Sequence, residues 1–277
     1  MFMLIKNLVA LVLSIIVIHL IYIGIIHPNA EQAIQIAQAQ GISAPRDIFI
    51  ILKDTEQEIC LIGLLWGCYL ILSKILHISS SKHQYHVDVL LGEHQTVGQL
   101  LDKLQSLEKR ERETPLMRVL ISSLRHFEST KNVHNTSESV RSTIEDIALE
   151  QDSDNAMIRY IIWAVPSIGF IGTVRGIGQA LSQADQALAG NIAGMTQSLG
   201  LAFNSTLVAL FISLILMFLL YQLQKEQEKT LVSIQVVPDP VFAIALTTRA
   251  LRVREVKVGA VAALVGGDEH GHFVAAR

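Results

Sequence analysis

Residues 186–224 contain no Asp, Glu, Lys or Arg, and neither do residues 7–30. Uncharged runs of this length constrain the chain more than any other feature. About 20 predominantly apolar residues let an α-helix cross a bilayer, and the bilayer interior tolerates only backbone that satisfies its own hydrogen bonds. Two further apolar segments follow the same logic. ICLIGLLWGCYLILSKIL at 59–76 carries a Trp, a Tyr and, near one end, Lys74, whose long stem can snorkel to an interface. YIIWAVPSIGFIGTV starts directly after Arg159.

Composition agrees with a membrane protein: 51% of the 277 residues are hydrophobic, 17% are charged and the mean hydropathy is +0.42. A net charge of −3 offers no basic surface for nucleic acid. Cys60 and Cys68, eight apart in one helical run, stand about 12 Å apart along the axis, too far for a disulfide. The expected fold class is therefore all-α, a polytopic membrane protein with about four transmembrane helices extended into a cytoplasmic helical bundle.

The segments divide as a first transmembrane helix at 1–27, a periplasmic segment at 28–58, a second helix at 59–77, a cytoplasmic helical loop at 78–157, a region with the third and fourth helices at 158–225, and a cytoplasmic tail at 226–277. Basic residues orient them. From Lys74 to Arg159 there are eleven Lys or Arg and from Lys225 onward seven more, against Arg46 and Lys53 alone in 27–58. By the positive-inside rule both termini and the central loop are cytoplasmic. Lys6 followed by an apolar run and PNAEQA also resembles a signal peptide, although the run is long for one; cleavage would leave three spans in the same orientation.

In the central loop Leu100, Leu101, Leu104 and Leu107 recur at amphipathic-helix spacing, Pro115 opens a new helix, and a helix from about Ser137 runs on into the third span. The tail continues as a charged helix until Pro238 and Pro240, and VGGDEHGHFVAAR beyond them has no periodicity.

Chemical motifs are few. The glycines of GFIGTVRGIG match neither a dinucleotide fingerprint nor a P-loop. His83, His86 and the DEHGH at 268–272 fall short of a metal-ligand set, and no catalytic triad or paired carboxylates stand out. No enzyme, cofactor or metal is expected. The third helix instead places Pro166, Gly169, Thr173, Gly176 and Ala180 on one face, and the fourth repeats Gly194, Ser198, Ala202 and Thr206 every four residues, with Ser205, Ala209 and Ser213 beside them. Close helix packing explains the small residues. Counted at 1.5 Å per residue from the flanking basic residues, Thr173 and Thr206 also fall at similar depths. Uncharged hydroxyls there can accept from and donate to a carboxyl group, yet the spans themselves hold no acid, so a proton-carrying acid must come from another subunit.

PSIGFIGTVRGIGQAL at 166–181, followed by GMTQSLGLAFNSTLVALFISLILMFLL at 194–220, resembles the two signature spans of the MotA/TolQ/ExbB proton-channel family, over about residues 160–225. The wording is similar to the TolQ and ExbB branch and the four spans to the flagellar-stator branch. The resemblance implies a homopentameric ring in the bacterial inner (cytoplasmic) membrane around an ExbD/TolR/MotB-like single-span partner. That partner's membrane Asp carries protons, or sodium, inward and turns ion flow into mechanical work. It also implies that Thr173 and Thr206 line the ion path, that Pro166 kinks the third helix, and that Gly169, Gly172, Gly176, Gly194, Ser198 and Ala202 allow close passage of the partner helices. Asn204 stands where relatives often carry Asp, which removes an ionising role from that position.

Arg175 lies about 200° around the helix from Thr173 and should point away from the hydroxyl stripe. Two readings stay open for it: an anchor at the periplasmic edge paired with Asp185, Asp54 or Glu56, or a gating or intersubunit salt bridge. Two rival functions also remain, a non-conducting membrane scaffold and a substrate transporter.

Overall fold

The structure, a computed structural model, describes residues 2–39, 47–83 and 97–236, and the described residues are helical with short connections. The expectations for 84–96 and 237–277, including His86, the two late prolines and DEHGH, lie outside them, as does the side chain of His83. In chain order the helices are α1 (Phe2–Ile21), α2 (His27–Ala39), α3 (Ile48–Leu52), α4 (Thr55–His83), α5 (Val97–Ser106), α6 (Lys109–Arg112), α7 (Pro115–Thr130), α8 (Val133–Asp154), α9 (Ala156–Ser182), α10 (Ala184–Leu188) and α11 (Ala193–Val236). Among the described residues four stretches are long and apolar enough to cross a membrane: Ile5–Ala37, Thr55–Ser79, His134–Ser182 and Ala193–Ile234.

The helix boundaries differ from the sequence expectation at the first span. The helix does not end near residue 27 but continues through Pro28 to Ala39, so α2 occupies much of the stretch expected as a periplasmic segment. Proline has no N–H to give the carbonyl four residues back. Tyr22–Ile26 widen into a π-helical turn just before it, with the His27 N–H bonded to the Tyr22 carbonyl, and Asn29 Nδ2 donates to the Ile25 carbonyl at 2.7 Å. At the other end Asp47 caps α3, its carboxylate accepting from the Phe49 N–H at 2.8 Å. α4 then starts at Thr55, a turn earlier than the apolar run.

The chain forms two compact units. The first comprises Met1–Ser80 and Gln151–Gln227. Its core joins α4 (Cys60, Leu70, Ile71), α9 (Ile158, Ile161, Ile162, Val165) and α11 (Ala209, Ile212, Leu216, Leu220, Leu223). Outward-facing side chains of the same helices stay large and apolar, such as Trp163, Phe170, Phe203 and Phe211, as a bilayer-facing or subunit-facing surface requires. Lys74 pairs with Asp154 at 3.4 Å. The expected continuous helix into the third span is interrupted at Asn155, whose side-chain amide donates to Gln227 Oε1 at 2.8 Å in a buried site.

The second unit comprises Ser81–Glu150 and Glu228–Arg277. Leu101 and Leu104 of α5, Leu116, Val119, Leu120 and Leu124 of α7, Val140 and Ile147 of α8, and Ile234 of α11 form its core, with Leu100 and Leu107 against the edge. Pro115 stands in the first turn of α7, where its missing N–H costs no helix bond.

Candidate functional site

The two small-residue stripes meet each other inside the first unit. A Cβ added at Gly169 would collide with the Ala209 Cβ and lie 3.1 Å from the Ser205 carbonyl; one at Gly172 would lie 2.6 Å from the Ser205 hydroxyl; one at Gly176 would lie 2.7 Å from the Ala202 Cβ. Backbones this close allow no side chain larger than hydrogen at those three positions. Gly194, Ser198 and the neighbouring turn are drawn together by Gln183, whose Nε2 donates to Ser198 Oγ at 3.2 Å and whose Oε1 occupies the space a Gly194 Cβ would need. Gly169, Gly172 and Gly176 thus pack α9 against α11 within one chain.

At the centre of that contact the hydroxyls of Thr173 and Thr206 are hydrogen-bonded to each other. Thr173 Oγ1 also lies 3.2 Å from the Gly169 carbonyl and 3.3 Å from the Ala202 carbonyl, and Thr206 Oγ1 lies 3.1 Å from the Gly169 carbonyl. A hydroxyl has one proton and two lone pairs. Two protons among these acceptors can be arranged in more than one way without moving a heavy atom, so the pair can reverse its donor direction. Both residues are half-buried, so the pair remains open on one side. Asn204, two residues before Thr206, is likewise half-buried and shares no hydrogen bond with the pair.

Two turns before Thr173, Pro166 leaves the Ile162 carbonyl without its helical donor. Ser213 Oγ of α11 supplies one at 3.2 Å, which lets α9 continue through the proline. Sequence reasoning placed Ser213 beside the stripe without this task.

Arg175 does not reach Asp185. Its guanidinium lies 2.8 Å from Glu56 Oε2 and 3.8 Å from Asp54 Oδ1, at the start of α4. Burial holds Asp54 above the usual carboxylate range, opposed by Lys53 and Arg175, with Glu56 adding to the rise and His27 to the opposition. Beside Glu56, the fully buried Gln57 donates from Nε2 to Ser205 Oγ at 3.2 Å. Gln57 is a residue of the site that the sequence reading did not place there, and Glu56 entered that reading only as one of three possible partners of Arg175. A signal existed: Glu56, Cys60, Gly63, Gly67 and Leu70 recur at steps of three and four, and all five lie on the packed face of α4, with Gly63 against Val165 and Gly67 against Leu216. Among the described residues no group of His, Cys, Asp or Glu is arranged to hold a metal ion.

A small-residue contact with a paired hydroxyl at its centre, built from the third and fourth spans, is the setting in which the family comparison falls. Residues 111–235 are a MotA/TolQ/ExbB proton channel family domain. The match begins within α6, well before the two signature spans, and ends at the last turn of α11, so this domain includes helices of both units. α1 to α5, and with them Asp54, Glu56 and Gln57, precede it. MotA/TolQ/ExbB proteins are channel and energy-transducing subunits rather than catalysts, and this chain carries such a domain together with four helices, among the described residues, long and apolar enough to cross a membrane. No curated protein matches it significantly.

Proposed function

We propose that the chain is the ring-forming subunit of an ion-driven machine. Five copies surround an ExbD/TolR/MotB-like single-span partner in the inner membrane, and passage of protons, or sodium, through the contact of α9 and α11 is converted into mechanical work. The basic residues of the central loop and tail put both termini on the cytoplasmic side.

The observation that carries this reading is the hydrogen-bonded pair of Thr173 and Thr206. It is an uncharged, reversible donor and acceptor at the meeting of two membrane helices, in a family of proton channels. Hydroxyls placed there exchange hydrogen bonds with a carboxyl group that arrives protonated and leaves ionised, without adding a buried charge.

A specific observation also favours a second reading. Gly169, Gly172 and Gly176 are fully accounted for by packing against α11, which is what a non-conducting scaffold needs. Valine matches threonine in shape and lacks the hydroxyl, so Thr173→Val and Thr206→Val separate the two. The channel reading expects ion-driven work to be lost while each variant still assembles, read as an unchanged oligomer mass in mild detergent. Full work in both variants would leave the scaffold.

A further inference from the structure

α4 precedes the matched family domain, yet its first turn enters the contact of α9 with α11. Glu56 is 8% exposed and its Cγ lies where Gly172 has no side chain, 3.2 Å from the position of a Cβ there. Gln57 has no exposed surface; its Nε2 is used by Ser205, and its Oε1 has no donor from the protein. Gly172 and Ser205 are the residues immediately before Thr173 and Thr206. Glu56 therefore packs at the residue before Thr173, and Gln57 is hydrogen-bonded to the residue before Thr206, which brings a carboxylate and an amide from the start of α4 to the contact that holds the threonine pair. Buried acceptors without a donor are costly and uncommon, and the Gln57 Oε1 is one. The glutamate is held in place by Arg175, one turn beyond Gly172, at 2.8 Å.

We infer that Glu56 is this chain's own acid on the ion path, the first proton acceptor on its outer side, and that Arg175 is a positioning residue that keeps its carboxylate over Gly172. The inference rests on the channel reading above. A proton arriving from the outer aqueous phase forms an O–H bond at a Glu56 oxygen. It leaves to the next acceptor past Ser205 and the threonine pair, and the carboxylate is restored. No co-reactant is consumed. The charged and titratable groups around it are Asp54, Lys53 and His27 beside the guanidinium, Glu58 paired with His19 at 2.8 Å, Cys60 a turn further along α4, and Tyr22, whose buried hydroxyl has no partner.

The test is the decay of an acid-interior pH gradient in inverted vesicles of the native membrane, followed with a fluorescent pH dye. The vesicles carry the full chain as wild type, Glu56→Gln, Glu56→Asp, Arg175→Gln or Thr173→Val. Oligomer mass in mild detergent separates lost flux from lost folding. The inference expects Glu56→Gln to lose the flux, Glu56→Asp to restore part of it, and Arg175→Gln, which frees the carboxylate, to lower the flux severalfold while Arg175→Lys keeps part of it. Wild-type flux in Glu56→Gln while Thr173→Val is inactive would overturn the role of Glu56 and leave the channel standing. So would equal loss in Glu56→Gln and Glu56→Asp, which would mark a purely structural side chain. Wild-type flux in Thr173→Val as well would overturn both.

Discussion

At Gly176 a Cβ would lie 2.9 Å from the backbone N and Cα of Ala202, whereas at Gly178, two residues on, it would meet nothing within 4 Å. Gly176→Ala should therefore destabilise the protein by about 1–3 kcal/mol through overpacking. Gly178→Ala should be neutral or stabilise it by up to about 1 kcal/mol, the difference in helix propensity. Thermal unfolding in the same detergent decides it, and equal stabilities would contradict the packing described. Asp54 gives a second prediction. Burial raises its folded-state pKa above the ordinary aspartate value, so between the two values the folded state binds more protons than the unfolded state. Its contribution to stability then falls as pH rises through that window. In Asp54→Asn this part of the pH dependence should disappear, and an unaltered melting profile from acid to neutral pH would show that Asp54 is not buried as described. The stripe glycines were legible from the sequence because their spacing is local. The partners of Arg175 were narrowed to three acids but not chosen, because the choice depends on how the start of α4 packs on α9, over more than a hundred residues of chain.

At the scale of the helix, α9 crosses its proline because α11 supplies the missing donor. Ser213→Ala should cost about 1 kcal/mol, the net value of such a bond. In a Pro166→Ala background, where the Ile162 carbonyl regains its helical N–H, the same change should cost less. A double-mutant cycle on unfolding free energy reads this difference, and strictly additive effects would mean that Ser213 does not compensate for the proline. Helices as such were readable from apolar length, but their ends were not. The first span passes through Pro28 because a π-helical turn absorbs the misfit, and nothing in local propensity distinguishes that from a helix stop. Gln57 was missed, and Glu56 read only as a possible partner of Arg175, for a related reason: both look like a solvated first turn until the packed stripe Cys60, Gly63, Gly67 is extended backwards to them.

For the whole molecule, the two units carry separate cores. Leu104, with no exposed surface, anchors the second, and Leu104→Ala should cost that unit about 2–5 kcal/mol. Limited proteolysis should then cut within residues 97–150 earlier than in wild type, while the fragment bearing α9 and α11 stays protected; protection unchanged throughout would contradict a core centred there. The amphipathic spacing made α5 readable in advance, and the signature spans made the family readable. The sequence did not reveal that Gly169, Gly172 and Gly176 pack α9 against α11 inside one chain, because a stripe shows what can pack closely and not what does. That leaves the paired hydroxyls as the part of the contact which packing does not explain. The most direct measurement is proton flux across native membrane vesicles carrying Thr173→Val in an intact oligomer: the account predicts that the flux is lost, and flux equal to wild type would contradict it.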